Sequence, residues 1–116
     1  MADRLLSQGE IETAIMRLSE ELESVTYQYA DLADKAATAE ADYKLHSARL
    51  MVALANSPMK MTAPERQARV DAQSDDQYRI WKINEARRQA SKEILLSLRA
   101  RLDSLRTLSA NIRNQT

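Results

Sequence analysis

From Ile11 onward, apolar side chains recur in alternating steps of four and three. Ile11, Ile15, Leu18, Leu22, Val25, Tyr29, Leu32, Ala36, Ala39, Tyr43, His46, Leu50 and Ala53 fall on one line. This is a heptad seam sustained for about six repeats. Ser7-Gln8-Gly9-Glu10 precedes it as a capping box, and no helix breaker follows until Asn56-Ser57-Pro58. The pattern predicts one long helix over about 8–55, ~72 Å long at about 1.5 Å per residue. Alanines at 33, 36, 37 and 39 narrow the seam and mark a place where another helix can approach closely.

Residues 56–62 read as a loop. Thr62-Ala63-Pro64-Glu65 then restarts a helix: Thr62 is a good N-cap, Pro64 is tolerated in the first turn, and Glu65 completes a second capping box. The pattern predicts a short helix over about 63–74, a break or kink at Ser74-Asp75-Asp76-Gln77, and a long basic helix over about 76–112. The apolar stripe of this last helix is read as Ile80, Ile83, Ala90, Ile94, Leu95, Leu98, Leu102, Leu105, Leu108 and Ile112, broad where Ile94, Leu95 and Leu96 adjoin.

The expected fold is therefore all-α: a long helical hairpin or coiled coil, one helical domain over residues 1–116. Two long helices in a hairpin each leave a face uncovered, so a second copy is expected to cover it. The residues assigned to that homo-oligomer interface are Ile11, Ile15, Leu18, Leu22, Val25, Leu32, Trp81, Leu98 and Leu105.

Composition narrows the function. The 116 residues include one Gly, two Pro and no Cys or Phe. Without Cys there is no disulfide framework and no thiolate metal site. No apolar run approaches the ~18 residues that span a bilayer. The first ten residues, MADRLLSQGE, lack the apolar core of a secretory signal. A soluble cytoplasmic protein with no membrane partner is expected, in host cytoplasm if the source is viral. Net charge is zero but unevenly spread. Residues 1–42 hold ten acidic and three basic side chains, a net −7, and residues 43–116 hold fourteen basic and seven acidic, a net +7. Such asymmetry suits antiparallel association, a polyanion site on the basic half, or a pair of solvated faces.

No catalytic constellation, cofactor motif or small-molecule site is visible, and the chain reads as non-enzymatic. The single histidine, His46, falls on the seam; with Asp42 it supplies at most two of the ligands a metal needs, so no metal site is assigned. Tyr78-Arg79-Ile80-Trp81-Lys82 alternates aromatic and cationic side chains, and Arg87 and Arg88 follow. That mixture suits single-stranded nucleic acid, where cations track phosphates and rings stack on bases. Trp81 reads more naturally as an anchor in a core or interface. The arginines are the stronger feature, because residues 77–116 carry nine basic and three acidic side chains.

Two segments carry a likeness. Ala39-Glu40-Ala41-Asp42-Tyr43-Lys44 with Ala48-Arg49, and Leu98-Arg99-Ala100-Arg101-Leu102-Asp103-Ser104-Leu105-Arg106-Thr107-Leu108, resemble small helical proteins of tailed phages, a group similar to the UvsY-like recombination mediators. The resemblance implies a helical homo-oligomer that binds single-stranded DNA and helps a recombinase displace the single-strand-binding protein. On this chain it points to Lys44, Arg49 and the terminal-helix cations Arg79, Lys82, Arg87, Arg88 and Lys92 as DNA contacts. The neutral charge and acidic first half depart from that pattern. The alternative function is a coiled-coil adaptor or inhibitor that binds a host or phage protein, and a structural virion component is a third.

Overall fold

A computed structural model describes residues 7–115. Among them the chain is all-α, a long helical hairpin of three helices: α1 (Gln8–Ala55), α2 (Ala63–Gln73) and α3 (Asp75–Asn114). The start of α1 is capped by Ser7. The Glu10 N–H donates to Ser7 Oγ at 3.1 Å, and the Ser7 hydroxyl donates in turn to the Glu10 carboxylate at 3.2 Å. Thr62 caps α2 in the reciprocal form: Glu65 N–H donates to Thr62 Oγ1, the Thr62 N–H faces the Glu65 carboxylate, and Pro64 occupies the first turn. At the end of α1 the Asn56 N–H still reaches the Val52 carbonyl at 3.1 Å. Pro58, which lacks an N–H, then takes the chain into the loop.

The chain groups into two compact units. The first combines residues 7–29 of the α1 side with 90–115 of α3. There Leu18, Leu98 and Leu102 form the buried core, with Ile15, Leu22, Val25 and Leu105 packed against it. The helices run antiparallel: Gln8 Nε2 donates to Ser109 Oγ at 2.9 Å, while Leu18, further along α1, meets the earlier Leu98 and Leu102 of α3.

The second unit, residues 30–89, packs the rest of α1 against α2 and the start of α3. Tyr43 meets Tyr78 and Trp81, and Ser47 meets Ser74, so the pairing is antiparallel here too. A single residue, Ser74, separates α2 from α3. Its N–H donates to the Val70 carbonyl at 2.9 Å, and its own carbonyl accepts from Tyr78 N–H at 3.0 Å, so helical hydrogen bonding passes through the break. Side chains of α1 hold this junction. The His46 ring nitrogen Nε2 donates to the Gln73 carbonyl at 3.2 Å, and the Ser47 hydroxyl donates to Ser74 Oγ at 3.2 Å.

Every seam position of α1 from Ile11 to Leu50 is buried or half-buried. The facing line of α2 and α3 has the same spacing but a different membership from the apolar stripe expected there. It runs Val70, Ser74, Gln77, Trp81, Asn84, Arg88, Ser91, Leu95, Leu98, Leu102, Leu105, Ser109 and Ile112, all buried or half-buried, in unbroken steps of four and three. Ile80, Ile83, Ala90, Ile94 and Leu108 lie off it and are exposed. The reason is local fit. The small alanines of α1 receive large polar-tipped side chains from α3: Trp81 and Arg88 line one groove with Ala33, Ala36 and Ala37.

The interface assignment changes accordingly. Ile11, Leu18 and Leu98 are buried within the chain, and Ile15, Leu22, Val25 and Leu105 pack around that core. Leu32 is half-buried on the same seam, and Trp81 packs on Tyr43 of its own chain. Within each unit, α1 and the α2–α3 line carry matching heptads that bury or half-bury these side chains inside one chain.

Candidate nucleic-acid interface

Folding the acidic half of the sequence against the basic half nearly cancels the charge of each unit. The described residues of the first unit hold six basic and seven acidic side chains, and those of the second hold ten and nine. A polyanion therefore meets local rows of cations rather than a uniformly positive body.

The cations assigned from sequence do not form one such row. At about 100° per residue, Arg79, Lys82, Arg87, Arg88 and Lys92 project around the whole circumference of α3. Arg79 is exposed and pairs with Asp75 at 3.0 Å. The Lys82 ammonium stands 4.2 Å from the centre of the Trp81 ring and 3.7 Å from the Glu85 carboxylate. Arg88 is half-buried on the seam, whereas Arg87 and Lys92 are exposed. On α1, Lys44 pairs with Glu40 at 2.8 Å, and Arg49 is exposed.

The aromatic residues of the 78–82 segment pack on one another and on Tyr43. Tyr43 stacks on Trp81 with centroids 5.4 Å apart, Tyr78 meets both rings edge-on, and Lys82 lies over Trp81. The cluster ties α1 to α3 and holds Trp81 half-buried among Tyr43, Tyr78 and Lys82.

A row of cations does exist one turn further on. Lys92, Arg99, Arg106 and Arg113 follow one another at seven-residue spacing. Seven residues bring a helix back to within ~20° of the same direction. Successive members are therefore ~10 Å apart along one exposed face of α3. Lys92 and Arg99 make no ion pair among the described residues, and Arg106 stands 3.9 Å from Asp103. Sequence reading named only Lys92 of this row as a contact. The signal that could have found the others was the seven-residue interval itself, which matters once the seam fixes which way α3 faces.

The remaining concavities are open grooves along the helix pair. One in the second unit, about 340 Å³, is lined by Asp34, Thr38, Asp42, Gln77, Ile80 and Asn84. One in the first unit, about 520 Å³, is lined by Arg17, Leu18, Glu21, Arg101 and Leu105. His46 spends its Nε2 on a backbone carbonyl. Among the described residues no group of three or more His, Asp or Glu side chains is arranged to hold a metal ion, and no helix is long and apolar enough to cross a membrane. Compared with protein-family models, curated proteins and solved structures, the chain matches none of them.

Proposed function

We propose that the chain is a non-catalytic accessory protein that binds single-stranded nucleic acid electrostatically, along the row Lys92, Arg99, Arg106 and Arg113. The observation that carries this reading is the alignment of four cations on one exposed helix face at heptad spacing. A phosphate chain laid along α3 meets a positive charge about every 10 Å. Binding of this kind releases counterions, is insensitive to sequence, and weakens steeply with salt. It fits the recombination-mediator likeness, in which a helical protein of a tailed phage acts beside a recombinase and a single-strand-binding protein.

The test is a mobility shift with labelled single strands at low salt. The chain is expected to bind, and the triple variant Lys92→Glu, Arg99→Glu, Arg106→Glu to lose binding while its circular dichroism is unchanged. Absence of a complex at tens of micromolar protein, or binding by the triple variant equal to wild type, rejects the reading.

A second reading, a protein-binding adaptor, has its own support. Leu45 and Val52 are exposed seven residues apart on the same outer face of α1, where a protein partner would cover them. A stoichiometric protein partner that survives nuclease treatment, and is lost in Leu45→Ser with Val52→Ser, would favour it over the first.

A further inference from the structure

On its solvent side, α3 carries Asp76, Ile80, Ile83 and Arg87. Their steps of four, three and four keep all four within an arc of about 60°. Ile80 and Ile83 are 55% and 51% exposed, although both are large aliphatic side chains on a well-formed helix. Neither Asp76 nor Arg87 makes an ion pair among the described residues. The four are also symmetric about the midpoint between residues 81 and 82: two isoleucines inside, an acid at one end and a guanidinium at the other.

We infer that this face pairs with the same face of a second copy, the two α3 helices running antiparallel across a two-fold axis. Reversing the pattern end to end places Ile80 on the partner's Ile83 and Asp76 on the partner's Arg87, each pairing occurring twice. A two-fold interface demands self-complementarity of this sort, with each residue and its counterpart exchanging roles. Reversed polarity is what the charges select, since a parallel arrangement would set Asp76 against Asp76 and Arg87 against Arg87. The groove beside Ile80 is lined by Asp34 and Asp42 and by Lys35, which pairs with Asp31. The occupant is therefore another copy of this chain. The inference is independent of nucleic-acid binding, because Lys92 lies about 160° round the helix from Asp76 and the rest of its row follows it.

Sedimentation equilibrium of the full chain, free of nucleic acid, over a micromolar concentration series tests this. Wild type is expected to dimerise. Arg87→Asp alone and Asp76→Arg alone are each expected to weaken dimerisation about tenfold or more, since each sets like charges opposite each other at both ends. Mixing the two single variants restores both opposite-charge pairs, so an equimolar mixture should dimerise near wild-type strength. Ile80→Ser with Ile83→Ser should be monomeric with unchanged helicity. A wild-type chain that stays monomeric overturns the inference. So does association that ignores these substitutions, or a mixture no stronger than its components.

Discussion

Tyr43 of α1 lies against Trp81 of α3 with ring planes 26° apart, and the Lys82 ammonium stands 4.2 Å from the centre of the indole. These contacts join α1 to α3 in the second unit, within a stretch of seam that also holds Ala36, Ala39, Ser74, Gln77, Asn84 and Arg88. Trp81→Ala removes the largest side chain of that stretch and opens space over Ala36. It should cost about 3 kcal/mol, the lower end for a large-to-small aromatic change because the indole is only half-buried. Urea unfolding followed by far-ultraviolet circular dichroism measures this. A loss under about 1 kcal/mol would mean that the aromatic cluster is not what fastens α3 to α1.

The first unit offers a sharper contrast between neighbours. Leu98 is 3% exposed in the core with Leu18 and Leu102, and Leu96, two residues earlier, is half exposed. Leu98→Ala should destabilise by about 3 kcal/mol, and Leu96→Ala should stay within about 0.5 kcal/mol of wild type. Chemical denaturation of the two variants side by side checks the register of α3. Equal losses would mean that the helix is rotated from the orientation described.

Much of this arrangement could be read in the sequence where apolar side chains mark it. The α1 seam is buried or half-buried from Ile11 to Leu50, as its spacing requires, though its last expected member, Ala53, is exposed, and the Thr62–Glu65 box caps α2. The register of α3 was hidden between Ser74 and Ser91. Apart from Trp81, the seam there is written in Ser, Gln, Asn and Arg, while the exposed Ile80, Ile83 and Ile94 imitate a core stripe one helix face away. Hydrophobicity alone selects the isoleucines; only continuing the four-three rhythm back from Leu95 through Arg88 to Val70 selects the true line. The cation row was obscured by the same error. Arg99, Arg106 and Arg113 align with Lys92 on any helix, but their exposed orientation follows only when the buried face is known.

Salt dependence separates the cation row from the residues named on sequence grounds. Single-strand affinity should fall with salt at a log–log slope of about −0.7 per phosphate neutralised. Arg99→Ala should then flatten the slope by about 0.7, and Arg79→Ala, whose guanidinium already pairs with Asp75, should leave it nearly unchanged. Fluorescence anisotropy titrations at several salt concentrations give both slopes. If Arg79 and Arg99 have equal effects, the polyanion does not follow the row.

The junction at Ser74 permits a test that single substitutions cannot give. Ser74 is 1% exposed, and its hydroxyl accepts from Ser47 across the helix pair. Ser74→Ala leaves the Ser47 donor facing a methyl group in a part-buried site, and should cost about 1–2 kcal/mol. Ser47→Ala should cost less, because the Ser74 hydroxyl can still turn toward a carbonyl of its own preceding turn. Replacing both removes donor and acceptor together, and the double variant should lie within about 1 kcal/mol of wild type. A double-mutant cycle from urea unfolding at fixed pH then yields a coupling of the sign that offsets the single losses. Strictly additive losses would mean that the two hydroxyls do not bond in solution. The His46 contact to the Gln73 carbonyl would then be the hydrogen bond that still ties the end of α2 to α1.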